Sequence, residues 1–144
     1  MIVIKHRVNT ISGLLATPKE FGVEVDIRPY RDNLILHHEP FVEGEPLEEY
    51  LKNFSHEFIV LELKSEGIES RVIELAEKFG IDNYFLLSVT PPFMKKLVNR
   101  EFRKFAVRFS DMESIETCRL WAGKADWVWA DIFRDFSLDE QNSA

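Results

Sequence analysis

A chain of 144 residues, 45% of them hydrophobic, is long enough to bury one core and does not call for two domains. Its 25 acidic residues outnumber the 18 basic ones, and the formal charge of -7 argues against general nucleic-acid binding because the phosphate backbone would be repelled. The one cysteine, Cys118, excludes an intrachain disulfide framework, and the first residues lack the apolar run of a signal peptide or membrane span, so we expect a cytoplasmic protein.

Short apolar runs alternate with helical patterns along the chain. The runs cover residues 2–6, 23–27, 34–38, 58–63, 84–89, 105–109 and 127–130. Between them, Leu47 and Leu51 share a face of one predicted helix, and apolar residues at three-to-four spacing from 68 to 79 predict another. Ser110 and Glu113 form the pattern of a capping box, which predicts a helix reaching about residue 121.

This alternation predicts an α/β domain built from right-handed βα units. Such units give a mostly parallel sheet whose strands are buried on both faces, which matches the nearly continuous apolar runs. We expect one domain over residues 1–136, followed by a polar tail over residues 137–144.

Charged residues follow several of the predicted strands, where parallel α/β proteins place their ligands. Alternation of side chains along the second run puts Glu24, Asp26 and Arg28 on one face. The same alternation puts Glu62 and Lys64 on a common face of the fourth run. The two runs therefore offer carboxylates in positions from which they could meet.

Spacing leaves two interpretations of these carboxylates open. Glu24, Asp26 and Glu62 suit a site for Mg²⁺ or Ca²⁺, because a hard divalent ion with oxygen ligands neutralises buried like charges. Alternatively, Arg28 and Lys64 pair with them in a structural ion network.

Two histidines stand at the ends of separate runs. His6 and His38 could carry protons near neutral pH, one as base and the other as acid, although a histidine taken by itself is more often a hydrogen-bonded structural residue. His37 points to the side of its run opposite His38, so at most one of the two should face the site. His56 lies in a turn before a strand, and we assign it a structural role.

Taken in order, four motifs resemble those of the glycerophosphodiester phosphodiesterase family. They are His6-Arg7, the segment from Gly22 to Arg28, the segment from Leu36 to Pro40, and Glu62-Leu-Lys64. The likeness to a short bacterial subgroup extends to about Phe136. Of the family's Pro-Glu-Asn-Thr motif, Asn9-Thr10 remains.

The resemblance implies a parallel βα barrel of TIM type. A full barrel needs about 250 residues, so this barrel would be incomplete, with about six βα units. The two edge strands of such an incomplete barrel would expose unpaired backbone groups. These groups could be covered if six strands close into a smaller barrel, if tail residues 133–138 cross the gap, or if two chains pair edge to edge. We expect tail cover or a homodimer, because six strands leave little interior room.

The resemblance also implies a site and a reaction. The site residues are Glu24, Asp26 and Glu62 for the divalent ion, His6 and His38 for proton transfer, and Arg7 and Lys64 for the phosphate. The expected substrate is a small-molecule phosphodiester, hydrolysed to glycerol 3-phosphate, or a related sugar phosphate, and an alcohol. The alternative is a non-catalytic module that binds metal or phosphate.

Arg108 and Asp131 end the later runs. We expect both near the rim of the same cleft, with Arg108 available to the substrate phosphate. The alternative is that they form a buried structural pair.

Overall fold

The computed structural model describes residues 1–131, in which eight strands and five helices are formed. The strands are β1 (Ile4–Lys5), β2 (Gly22–Tyr30), β3 (Asn33–Leu36), β4 (Glu45–Pro46), β5 (Phe58–Leu63), β6 (Tyr84–Leu87), β7 (Ala106–Phe109) and β8 (Trp127–Ala130). The helices are α1 (Ile11–Leu15), α2 (Leu47–Lys52), α3 (Glu69–Lys78), α4 (Pro91–Val98) and α5 (Ile115–Leu120).

Strand β2 is the centre of a six-stranded mixed sheet. It pairs in parallel with β1 and β5, and antiparallel with β3; β5 in turn pairs in parallel with β6, and β3 pairs antiparallel with β4. Within residues 1–131, β7 and β8 form a separate two-stranded parallel sheet. The first six residues of β2 are buried. Val23, Val25 and Ile27 belong to the larger apolar cluster on one face, and Glu24 and Asp26 are buried on the other.

The predicted parallel barrel of TIM type is wrong. The chain returns from β2 into β3 as an antiparallel hairpin, with Tyr30 opposite Asn33 and Arg31 at a φ of 53° in the turn. A parallel neighbour would need a crossover of a dozen or more residues, which the segment between the runs at 23–27 and 34–38 is too short to supply. Over residues 1–131 the fold is therefore mixed α/β, and this part of the chain does not form the barrel implied by the resemblance.

Apolar residues fill both faces of the main sheet. The larger cluster packs the helices against one face, with Val25, Leu61 and Leu86 among its fully buried members. The smaller cluster, on the other face, consists of Phe58, Val60, Phe85, Leu87 and Ala106. Full burial of side chains of this size contributes roughly 2 kcal/mol each.

The β7–β8 pair folds over the smaller cluster through two tryptophans. The Trp127 ring lies 5.2 Å from the Phe58 ring and 5.0 Å from the Phe85 ring, centroid to centroid. Trp129 contacts Phe85 at 6.2 Å and reaches His6 at 5.6 Å. These contacts bring the end of β8 beside the residues that follow β1.

Two helix predictions are met and one is displaced. Helices α2 and α3 lie where the periodicity placed them, and Gly80 follows α3 at a φ of 66°. Helix α5, in contrast, begins after Ser114 rather than Ser110. The Ser110 hydroxyl donates to Glu113 Oε2 at 2.8 Å inside a turn, so this pair does not cap a helix.

No helix in residues 1–131 combines the length and the apolar character that crossing a membrane requires. The proposed tail cover by residues 133–138, and the polar tail at 137–144, lie outside the described residues.

Candidate metal centre

Three carboxylates converge on one face of the sheet, two from the first half of β2 and one from the carboxyl end of β5. Asp26 stands directly opposite Glu62 in the parallel β2–β5 register, and Glu24 lies two residues earlier on the same face. One carboxylate oxygen from each lies within 4.8 Å of the other two. The alternation of side chains along β2 and the pairing of β2 with β5 together bring the three predicted metal ligands within reach of one cation.

Glu24 is the carboxylate whose charge is least well compensated. Glu24 is 2% exposed, its Oε2 accepts the Arg7 backbone N–H at 2.7 Å, and its Oε1 has no hydrogen-bond partner within residues 1–131. Burial raises the pKa of Glu24 from 4.5 to about 7, and the negative charges of Asp26 and Glu62 add to the rise, while the Arg7 N–H opposes it. Without a cation, Glu24 therefore keeps its proton up to about pH 7, and the protonated carboxyl can donate it to Glu62.

Asp26 is fully buried, yet it stays ionised because donors surround it. Asn9 Nδ2 donates to Asp26 Oδ2 at 2.7 Å, and Lys64 Nζ lies 3.0 Å from Oδ1. Oδ1 lacks a hydrogen bond of normal geometry in the described residues, so we treat the Lys64 contact as an ion pair. Burial opposes ionisation, but the Asn9 and Lys64 interactions outweigh it and hold the pKa of Asp26 below its usual value.

Glu62 is the hub of a small polar network. Its Oε1 accepts the Ser88 hydroxyl at 3.0 Å and lies 3.0 Å from Lys64 Nζ and 3.7 Å from Arg108 Nη2. Burial lowers the pKa of Lys64, but the contacts with Asp26 and Glu62 outweigh it, and the net pKa is raised. Lys64 is thus a charged ammonium between two carboxylates.

The structural ion network therefore exists only in part. Lys64 takes part in it as expected, whereas the Arg28 guanidinium donates to the backbone carbonyl oxygens of His38 and Lys64 at 2.7 and 3.4 Å. Arg28 ties the ends of β3 and β5 together and leaves Glu24 without a guanidinium partner among the described contacts.

The two predicted proton carriers occupy different surroundings. His6 Nδ1 lies 3.6 Å from Glu24 Oε2, and the His6 side chain is 60% exposed. His38 Nδ1 pairs with Glu39 Oε1 at 2.8 Å. The His38 ring is therefore bonded to a residue that does not belong to the three-carboxylate cluster. His56 is buried and donates from Nε2 to the Thr17 carbonyl at 2.9 Å, as a structural histidine does.

The predicted phosphate ligands are likewise placed unequally. Arg7 donates its backbone N–H to Glu24 Oε2, and Arg7 as a whole is exposed to solvent. Arg108 Nη1 pairs with Asp131 Oδ2 at 2.8 Å and its Nη2 donates to Ser88 Oγ at 3.0 Å. Arg108 and Asp131 thus form an ion pair at the edge of the cluster, and the pair is partly exposed rather than buried.

Sequence reasoning missed three residues at this site, which are Asn9, Ser88 and Trp129. Ser88 follows β6 with a left-handed φ of 62°, and Arg7 follows β1 with a φ of 54°. Non-glycine residues seldom adopt this region, and such strain concentrates at functional sites. Inspecting the end of every apolar run for uncharged polar residues, as well as charged ones, would have found Ser88.

Comparison with protein-family models, curated proteins and solved structures gives no significant match to this chain. The function must therefore be inferred from the geometry of the site and the order of its motifs.

Proposed function

We propose that this protein binds one divalent cation, Mg²⁺ or Ca²⁺, through Glu24, Asp26 and Glu62, and hydrolyses a glycerol-type phosphodiester. The observation that carries the proposal is the buried Glu24 Oε1, which in the ionised state lacks a hydrogen-bond donor within residues 1–131 and lies beside two further carboxylates. A buried carboxylate oxygen without a partner is costly, and a hard cation satisfies it directly.

Charge supports a cation over a purely structural network. Lys64 lies between Asp26 and Glu62, and Arg108 divides its contacts between Glu62 and Asp131. Glu24 has the weakest compensation, since its nearest basic side chain in the ion pairs of the described chain is the exposed His6. A divalent ion would supply the positive charge that is missing beside the ionised Glu24.

The residues around the cluster suit a phosphodiester. The cation would polarise a phosphoryl oxygen when bound. Lys64 and Arg108 place cationic groups beside the carboxylates, where a phosphate oxygen could be held. His6 is exposed to solvent and close to Glu24, so it can exchange a proton with an incoming or departing oxygen. The glycerol portion of the proposal rests on the resemblance of the motifs.

Calorimetry and hydrolysis together test the proposal. Mg²⁺ and Ca²⁺ are titrated into the wild type, Glu62→Gln and the control Glu69→Gln, which replaces a buried carboxylate on α3 outside the cluster. We expect binding to the wild type and to the control, and strong weakening in Glu62→Gln. Cation-dependent release of glycerol 3-phosphate from a glycerol phosphodiester is the expected activity, and equal cation binding by all three proteins would refute the site.

A non-catalytic module is the second candidate, and the position of His38 favours it. His38 Nδ1 is held by Glu39, so one of the two expected proton carriers is bonded to a residue outside the three-carboxylate cluster. Cation binding without turnover, across several glycerol phosphodiesters, would decide for this candidate.

A further inference from the structure

Asn9 holds the Asp26 residue at two points. Its Nδ2 donates to Asp26 Oδ2 at 2.7 Å, and its Oδ1 accepts the Asp26 backbone N–H at 2.8 Å. The two bonds leave one orientation for the amide, because the backbone N–H requires the oxygen on its side and the ionised carboxylate requires the nitrogen. Asn9 therefore binds both the backbone N–H of Asp26 and its side-chain carboxylate, which is one of the proposed metal ligands.

The surrounding backbone fixes Asn9 in turn. Strand β1 ends at Lys5, but the chain continues beside β2, and Val8 N–H donates to the Glu24 carbonyl at 2.9 Å. At the next step of this ladder the Asn9 side-chain oxygen takes the place of a backbone acceptor for Asp26. Asn9 itself lies in the connection between β1 and α1, and the Val8 bond anchors that connection to β2 one residue before it.

The consequence is a carboxylate with little rotational freedom. Asp26 Oδ2 is occupied by Asn9, which leaves Oδ1 on the side of Lys64. Mg²⁺ demands nearly ideal octahedral geometry with short bonds, whereas Ca²⁺ accepts six to eight oxygens in flexible arrangements. A rigid ligand therefore favours the smaller ion.

We propose that Asn9 is a positioning residue that fixes Asp26 and thereby sets the preference of the site for Mg²⁺ over Ca²⁺. The inference rests on the proposed cation site and adds to it the residue that determines which ion is preferred. Groups that orient a metal ligand from outside the coordination sphere typically contribute about 10- to 100-fold to affinity.

The test compares Mg²⁺ and Ca²⁺ dissociation constants, measured by calorimetry, in the wild type, Asn9→Ala and Asn53→Ala. Asn53 is the matched control, because its side chain donates a 2.9 Å bond to the Glu49 carbonyl on α2, away from the carboxylates. For Asn9→Ala we expect Mg²⁺ affinity to fall about tenfold or more and Ca²⁺ affinity to fall clearly less. Asn53→Ala is expected to keep both constants.

A second variant guards against misfolding of the first. Asn9→Asp retains an acceptor for the Asp26 N–H but loses the donor to Oδ2, and its added oxygen suits the higher coordination number of Ca²⁺. We expect it to shift the preference toward Ca²⁺ as well. An unchanged ratio of the two constants in both variants, or an equal fall in affinity for both ions, overturns the proposed role of Asn9. The cation site itself would still stand. A wild type that binds neither ion overturns the cation site and this inference together.

Discussion

Replacing Glu24 by glutamine should stabilise the cation-free protein at alkaline pH. Burial and neighbouring carboxylates raise the pKa of Glu24 from 4.5 to about 7, so the folded state holds a proton that the unfolded state releases. This contribution to stability is complete below pH 4.5 and is lost as pH rises through 7. The shift of about 2.5 pH units corresponds to roughly 3 kcal/mol. The glutamine amide never ionises, so the Glu24→Gln variant escapes this loss.

The assay is thermal and urea unfolding of both proteins with a chelator present, at pH 4.5, 6 and 8. We expect similar stability at pH 4.5 and an advantage for Glu24→Gln that grows to about 2–3 kcal/mol at pH 8. Groups away from the cluster titrate equally in both proteins, so the difference reports on Glu24 together with Asp26 and Glu62, whose charges act on it. Saturating Mg²⁺ should abolish or reverse the advantage, because the cation stabilises the ionised wild type. An advantage that stays constant with pH would refute the electrostatic argument.

Three further variants test the roles assigned around the cluster. His6→Ala should reduce turnover about 100-fold or more while cation affinity stays within a few fold, because a proton carrier acts on the reaction and not on the ion; an unchanged rate in an active preparation would remove His6 from the mechanism. His38→Ala is expected to lower turnover as well, and an intact rate would show that the pairing of His38 with Glu39 is structural. Arg108→Ala should raise KM for the phosphodiester, and unchanged KM would leave Arg108 as the structural partner of Asp131.

The carboxylate cluster was predictable because it depends on local rules. Alternation along β2 places Glu24 and Asp26 on one face, and strand-end placement selects Glu62. These rules hold whether the sheet is parallel throughout or mixed. The predicted ligands therefore converge although the predicted barrel does not form.

The fold was mispredicted where a short connection outweighed the pattern of strands. The runs at 23–27 and 34–38 each contain three aliphatic residues, and such a pattern does not reveal whether neighbouring strands are parallel. The loop length does, since Tyr30 to Asn33 permits a hairpin and no helical crossover. Counting residues between the runs would have identified the antiparallel pair.

The contacts of Asn9 and Ser88 lie beyond sequence reasoning of this kind. Asn9 reaches Asp26 across 17 positions, and Ser88 reaches Glu62 across 26, so both bonds exist only after the strands have paired. Trp129 likewise meets His6 only because the β7–β8 pair folds over the smaller apolar cluster. Long-range side-chain contacts of this type follow from the tertiary structure.

Anomalous diffraction from crystals soaked in Mn²⁺ tests the central claim most directly. The cation site predicts one strong anomalous peak between Glu24, Asp26 and Glu62, with carboxylate oxygens at about 2.0–2.6 Å from the ion. The Lys64 ammonium should move away from Asp26 Oδ1 as the ion enters, because two cations cannot share that oxygen closely. A Mn²⁺-soaked crystal with the peak elsewhere, or with no peak and Lys64 still between Asp26 and Glu62, would contradict the proposed cation site.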